Sequence, residues 1–314
     1  MGKTCCVVGG AGFIGREVVR LLLGQGRRVT VVDRRPPGME RESKGFRYLS
    51  GDCSDMSVLE EGLRDADEVI DLAYSTVPKT SFDDPVQDIL NNLPSSVMLL
   101  NRATFHAIRK MVVVSSGGTV YGVAQHLPIP EEHPTNPISP YGITKLAVEK
   151  YALMYHHLRG LPVAIVRPGN AYGERQMPST GQGFIATAIA SILSDRTILQ
   201  FGEHGTVRDY IHVDDVAQGI IAVLDQGRAG SCYNIGSGVG KSNSDVLDSL
   251  RSLAEPSGLS VRIELQRARG FDVPANVLDA SKLRAETTWK AMIPFEQGLE
   301  RTWRWFTDTY RSNA

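Results

Sequence analysis

Tyr141 and Lys145 stand four residues apart in the run Tyr141-Gly-Ile-Thr-Lys145. On a helix that spacing puts both side chains on one face. An ammonium beside a phenol favours the phenolate. A tyrosine, which ionises near pKa ~10 when unperturbed, then becomes usable as a general base near neutral pH. Taken alone, the pair is also an ordinary helix-surface pattern. Its setting sharpens it. The apolar run Met111 to Val114 ends in Ser115-Ser116-Gly117-Gly118-Thr119-Val120-Tyr121-Gly122, a cluster of hydroxyls and glycines at a strand end.

A second constellation opens the chain. Cys5 to Val8 is a short apolar run, followed by Gly9-x-x-Gly12-x-x-Gly15 and an apolar-periodic stretch with Phe13, Val18, Val19 and Leu22. A first glycine permits a tight turn, a second lets the backbone approach a pyrophosphate, and a third lets the helix pack on the sheet. The helix N-terminus offers free N–H groups and a positive dipole end to phosphates. A second strand, Arg28 to Val32, ends in Asp33, about 20 residues on, where a carboxylate accepts both hydroxyls of an adenosine ribose. The same charge repels a 2′-phosphate, so NAD is expected rather than NADP. Arg34 and Arg35 are the residues that would favour NADP. The alternative for Asp33 is the start of a turn into Pro36-Pro37-Gly38. The positive nicotinamide ring of NAD would also favour a Tyr141 phenolate.

The elements that must position these residues alternate as in an α/β, Rossmann-type doubly wound parallel sheet. Further strands are expected at Phe46 to Leu49, Glu68 to Ala73, Lys110 to Ser115 and Pro162 to Val166, with helices near 57–65, 86–108 and 141–159. The last helix has Ser139 as N-cap, Pro140 at its first position, and Gly160 and Pro162 at its end. Ala147, Tyr151, Met154 or Tyr155, and Leu158 form its apolar stripe. Beyond residue 168 shorter elements suggest a smaller C-terminal lobe over the strand ends. The expected division is 1–168 plus about 206–230 for the dinucleotide-binding domain, with 169–205 and 231–314 as the smaller substrate lobe.

The chain has 314 residues and a net charge of −1, which leaves no electrostatic footprint for nucleic acid or a membrane surface. No apolar run suits a membrane span or a cleavable leader. The four cysteines (5, 6, 53 and 232) lack metal-ligand spacing, so no metal site is expected, and a reducing cytoplasm fits them.

The glycine turn, the Ser-rich strand end before Val120-Tyr121-Gly122 and Tyr141-x-x-x-Lys145 resemble those of the extended short-chain dehydrogenases/reductases. So do Arg167-Pro-Gly-Asn170-Ala-Tyr-Gly173 and Arg208-Asp-Tyr-Ile-His-Val-Asp-Asp215. The resemblance spans nearly the whole chain and is strongest to the nucleotide-sugar (UDP-glucose/UDP-galactose type) 4-epimerases. It implies a redox-neutral cycle on a UDP-sugar or another nucleotide sugar. Tyr141 takes the C4 hydroxyl proton as hydride passes to NAD, the 4-keto sugar turns over, and hydride returns to the other face.

By position, the resemblance implies that Gly9, Gly12, Phe13, Ile14 and Gly15 hold the cofactor's pyrophosphate, with Asp33 at the ribose. Asp52 and Cys53 lie at the adenine, and Leu72, Ala73 and Asn91 line the cofactor. Ser115 falls among the cofactor contacts, and Tyr141, Lys145 and Pro168 lie near the nicotinamide end. Asn170, Arg208, Arg269 and Asn276 fall to the sugar nucleotide, the arginines serving its phosphates as bidentate forks. A surface salt bridge is the competing reading for Arg208 and Arg269. Asp214 and Asp215 read as first-turn charges of a helix. The resemblance also implies a homodimer through the 86–108 and 141–159 helices, although such apolar helices also suit burial within one subunit.

The sequence departs from the pattern in three places. The slot that usually carries a catalytic Ser or Thr is Gly117, so Ser116 or Thr119 must supply that hydroxyl. Gly118 and Thr119 stand where related dehydratases usually carry acidic residues, which argues against dehydration. Asn276 stands where a bulky Tyr is often found, implying room for a substituted hexose such as an N-acetylated sugar or a uronate. Two other functions stay open: a net oxidoreductase of the same fold and a non-catalytic NAD-binding regulator.

Overall fold

The computed structural model describes residues 2–35, 44–178, 183–269 and 272–312. Its centre is a seven-stranded sheet, parallel throughout: β1 (Thr4–Val8), β2 (Arg28–Asp33), β3 (Phe46–Ser50), β4 (Glu68–Asp71), β5 (Lys110–Val114), β6 (Val163–Pro168) and β10 (Cys232–Ile235). The order across the sheet is β10-β6-β5-β4-β1-β2-β3. The chain therefore reverses direction between β1 and β4, which opens a crevice at their carboxyl ends.

The strands are unbroken apolar runs because both faces are covered. Cys5 and Val7 pack towards α1 (Phe13–Gly24) and α7 (Val213–Gln226). Cys6 and Val8 pack towards α2 (Met56–Leu63), α4 (Pro85–Phe105) and α5 (Pro140–Arg159). Both cysteines of β1 are fully buried, and burial pushes their thiols well up.

The second unit is built on β7 (Asn170–Tyr172), β9 (Val207–His212), β11 (Gly240–Lys241) and β13 (Ala275–Asn276), with β9 pairing to the other three. Beside it α6 (Phe184–Leu193), α8 (Asn243–Ala254) and α10 (Phe295–Ser312) enclose a separate apolar core around Tyr172, Tyr210, Leu250 and Phe306. A parallel pair, β8 (Ile198–Phe201) and β12 (Ile263–Gln266), sits beyond it.

Two of the expected boundaries need correction. Cys232–Ile235, assigned by sequence to the smaller lobe, is the edge strand of the main sheet, held in register beside Ile165 to Pro168. Val207–His212, assigned to the dinucleotide-binding domain, instead organises the small sheet. Strands this short carry no local mark of the sheet they join.

Helix α5 is positioned by its ends. Ser139 Oγ accepts from Gly142 N at 3.1 Å, Pro140 opens the first turn, and Gly160 closes it at φ +71°. Of its expected apolar stripe, Tyr151, Met154 and Leu158 are exposed, Ala147 is half-buried, and Tyr155, the alternative to Met154, packs against the core; the fully buried face includes Tyr141, Thr144, Lys145, Val148 and Ala152. A short helix, α3 (Pro78–Asp83), was not anticipated. It meets α5 where Tyr141 N donates to Ser81 Oγ at 3.2 Å.

Candidate active site

The glycine turn fills the crevice mouth. Gly9 sits at φ +83°, and a Cβ there would lie 2.7 Å from Ala73 N. Gly15 comes so close that a Cβ would lie 2.4 Å from Gly9 O. Gly12 opens α1 with no side-chain cap, so the helix start is left for a ligand, with Phe13 and Ile14 half-buried behind it. Leu72 N donates to Val8 O at 2.9 Å, which sets Leu72 and Ala73 on the opposite lip.

Asp33 ends β2 beside the glycine turn. Its Oδ2 accepts from Ala11 N and its Oδ1 from Arg35 N, each at 2.9 Å. Each oxygen keeps a second acceptor direction, as a ribose diol requires. Asp52 lies at the end of β3, paired with Arg34 at 3.2 Å and accepting from Ser54 N at 2.8 Å. Hydrogen bonding from Ser54, with the nearby Arg34, holds its carboxyl below the usual range. Cys53 is half-buried beside it, its thiol pushed up to about 11 by burial. Arg34 is therefore engaged by a carboxylate. Pro36-Pro37-Gly38 lies outside the described residues.

Asn91 does not join this group. It lies on the exposed face of α4, where its Oδ1 accepts from Gln87 Nε2 at 2.6 Å. Asn92 takes the inward position. It is 3 % exposed, accepts from Ser75 N at 2.8 Å, and donates to Thr76 Oγ1 at 3.1 Å and to Asp88 O at 2.7 Å. A step of one residue on a helix turns a side chain by about 100°, and the Asn-Asn pair hid which one faces in.

Tyr141 and Lys145 are brought together in the crevice floor, 8 % and 7 % exposed. Lys145 Nζ donates to Val114 O at 2.9 Å and lies 6.0 Å from the Tyr141 ring centre. Burial pushes the lysine down to about 8, against the opposing pull of Asp71, Glu149 and Asp88. Burial, with Asp88 nearby, also pushes the Tyr141 phenol up. Both effects favour the protonated form of Tyr141.

Around the pair, Ser115 Oγ and Thr119 Oγ1 are buried with no hydrogen-bond partner among the described residues. Ser116 is half-buried at the same turn. Pro168 O accepts from Gly117 N at 2.8 Å, which locks the turn to the end of β6. Beneath it Arg167 is fully committed to structure, with its fork on Glu149 at 3.0 and 2.6 Å and Nη1 on Tyr121 Oη at 2.9 Å.

Of the residues expected at the sugar nucleotide, Asn170, Arg208 and Asn276 lie on the small sheet and Arg269 lies outside its strands. Asn170 opens β7, its Oδ1 3.4 Å from where a Gly118 Cβ would stand. Arg208 is half-buried on β9 and donates to Val207 O at 2.8 Å. Burial lowers its pKa and nearby Arg269 lowers it further, while Tyr210 and Asp272 oppose. Among the described residues Arg208 has no carboxylate at ion-pair distance. Arg269 is held by Asp272 at 2.8 and 3.3 Å, with its guanidinium 4.1 Å over the Phe201 ring. Two cations kept close, one without a carboxylate, suit a diphosphate.

Asn276, expected beside the sugar, is a buried residue of the small sheet. It is 1 % exposed, paired with Arg208 across β13 and β9, and donates to Gly117 O at 3.0 Å. It holds the serine-rich turn, and its Oδ1 is buried with no hydrogen-bond partner among the described residues. Asp214 and Asp215 do open α7, and Asp215 also accepts from Met292 N and Ile293 N at 3.0 and 2.9 Å.

Sequence reasoning missed three groups beside the pair: Asp71, Tyr74 and Asp88. Asp71 ends β4, is 5 % exposed and is pushed up to about 6 by burial. Asp88 is fully buried, accepting from Thr144 Oγ1 at 2.6 Å and from Thr76 Oγ1. A polar residue at the end of an apolar strand was the available signal for Asp71. Among the described residues no cluster of His, Cys, Asp or Glu suits a metal, and no helix is long and apolar enough to cross a membrane.

A doubly wound sheet with a glycine turn at its switch point and a buried Tyr–Lys pair opposite defines a dinucleotide-dependent enzyme of the extended short-chain dehydrogenase/reductase type. Residues 5–236 match the NAD dependent epimerase/dehydratase family, and the chain belongs to it. NAD is its cofactor. A putative UDP-glucose 4-epimerase of Methanocaldococcus jannaschii is 30 % identical over 98 % of this chain and 99 % of its own. A dTDP-glucose 4,6-dehydratase of Streptomyces antibioticus is also 30 % identical, over 96 % and 92 %. The crystal structure of Thermotoga maritima UDP-glucose 4-epimerase with UDP-glucose superposes with a TM-score of 0.91 at 30 % identity, covering 98 % and 99 %.

Proposed function

We propose that this enzyme epimerises a nucleotide-activated hexose at C4 and retains NAD from one turnover to the next. The observation that carries the reading is the buried Tyr141–Lys145 pair facing a turn, 115–122, that contains hydroxyls and no carboxylate. Loss of water from a 4-keto sugar needs an acid at the leaving hydroxyl, and Gly118 and Thr119 provide none. Relatives named as dehydratases keep that reaction as the second reading, and this turn weighs against it.

The glycine turn, Asp33, Asp52 and Ala73 hold the dinucleotide, and the cofactor supplies reversible hydride acceptance. Arg208 and Arg269 bind the diphosphate, with Asn170 beside the sugar. Ser116 or Thr119 donates to the C4 oxygen while Tyr141 takes its proton, and Lys145 supports the phenolate. The burial that keeps free Tyr141 protonated also excludes the water that would screen this charge. Once the hydride held by the cofactor and the proton held by Tyr141 are both back on the sugar, no net oxidation has occurred.

The two helices beside the site also support a homodimer. Val86 and Leu90 on α4, and Ile143, Met154 and Leu158 on α5, leave apolar side chains exposed on two neighbouring helices. A patch of this kind marks an interaction surface.

The deciding experiment incubates the purified enzyme with UDP- and dTDP-hexoses and separates the products. Conversion between C4 epimers without NADH accumulation supports the reading. A 4-keto-6-deoxy product replaces it with dehydration, and stoichiometric NADH replaces it with net oxidation. Light scattering on wild type and Leu158→Glu tests the dimer, which the charge should dissociate.

A further inference from the structure

Tyr74 is three residues beyond the end of β4, and its ring lies against both members of the pair. Lys145 Nζ sits 4.0 Å from its ring centre, closer than the 6.0 Å to Tyr141. The two tyrosine rings meet edge to face at 4.8 Å and 68°. We propose that Tyr74 is a positioning residue whose ring face holds the Lys145 ammonium beneath Tyr141. The proposal rests on the reading of Tyr141 and Lys145 as the working pair.

The ring cannot easily swing away. The next residue, Ser75, donates its N–H to Asn92 Oδ1 at 2.8 Å, and Thr76 is held by both Asn92 and Asp88. The segment after β4 is thus stitched to α4 on the side facing α5. An ammonium has three donors. Val114 O takes one, and the ring face satisfies a second direction without bringing in a carboxylate that would compete for the lysine.

The charged groups facing Lys145 come from three other places. Asp71 lies at the end of β4, Asp88 on α4, and Glu149 one turn along α5. Glu149 is tied to Arg167 and Asp88 to two threonines. Against them stands the cost of burial, which holds the lysine near 8. In so balanced a setting the ring matters. A desolvated cation–π contact is worth about one pKa unit or more.

The test titrates the lysine side chains of the full-length protein by NMR, without substrate, with the Lys145 signal assigned from Lys145→Arg. In Tyr74→Leu the Lys145 signal is expected to titrate about one unit lower than in wild type, while Tyr74→Phe and Tyr74→Trp match wild type. The alkaline limb of kcat should move down in parallel in the leucine variant. If Tyr74→Leu does not fold, Tyr74→Met takes its place with the same expectation. An unshifted signal in the aliphatic variant overturns the proposal, and so does a shift in Tyr74→Phe equal to that in Tyr74→Leu. Because the titration needs no turnover, it separates this inference from the assignment of the reaction: a product other than a C4 epimer would leave the lysine result unchanged.

Discussion

The side-chain amide of Asn276 donates to the main-chain carbonyl of Gly117 at 3.0 Å, across 159 residues of chain. These are two of the three places where the sequence departs from the epimerase pattern, and they are one structural feature. Gly117 lies against the end of β6, and the small sheet reaches over to hold it there.

Gly117→Ser, which would restore the usual residue type, should therefore fail to improve turnover. A Cβ at 117 would lie 2.5 Å from Leu278 Cδ1 and 2.8 Å from Arg167 O, and a backbone oxygen cannot step aside. The variant should lose about 1–3 kcal/mol of stability, seen as a drop of several degrees in Tm. A serine variant as stable as wild type and faster would show that the turn relaxes to accept it.

Asn276→Leu keeps the size and removes the donor to Gly117 O. It should cost about 1–3 kcal/mol, since a buried carbonyl loses its partner. Asn276→Tyr should depress soluble folded protein rather than shift selectivity between large and small sugars. Thermal unfolding and kcat/KM on a plain and an N-acetylated nucleotide sugar check both.

Tyr141→Phe should retain NAD and lose turnover by on the order of a hundredfold or more, the usual scale for a general base. Cofactor content measured by absorbance after denaturation, beside kcat, separates the two. Near-normal turnover would remove Tyr141 from the reaction.

Ser116→Ala and Thr119→Ala should lower kcat unequally if one of them supplies the hydroxyl missing at 117. Ser116 is the partly open one, whereas Thr119 Oγ1 is buried and unpartnered among the described residues. The comparison belongs in kcat rather than KM, because the bond strengthens in the transition state. Equal small losses would show that neither replaces it.

Activity should fall as pH rises through about 8, where Lys145 loses its proton. Asp71 raises that value, so Asp71→Asn should move the alkaline limb to lower pH. The carboxyl of Asp71 is itself raised to about 6, which means the folded state favours its protonated form. Its contribution to stability is therefore present below pH ~4 and lost as pH rises to about 6. The difference in Tm between wild type and Asp71→Asn should change across that window, in favour of the variant above it. A constant difference from pH 4 to 7 would show that Asp71 does not titrate there.

The sequence by itself determined the glycine turn, Asp33, the Tyr141–Lys145 pair and the parallel α/β class. Each is a short-range signal: a backbone position that tolerates no Cβ, a fixed i, i+4 spacing, an apolar run bounded by turns. Tertiary structure alone decided what depends on which neighbour arrives. Asn92 rather than Asn91 is buried, because that side of α4 meets the segment after β4. Tyr151, Met154 and Leu158 of α5 stay outside because the helix turns Thr144, Lys145 and Val148 inward to the sheet and α4. Strand β10 joins the main sheet and β9 the small one through hydrogen-bonded registers that four to six residues do not encode locally. Asn276 meets Gly117, and Tyr74 meets Lys145, only once strands far apart in sequence end at the same place.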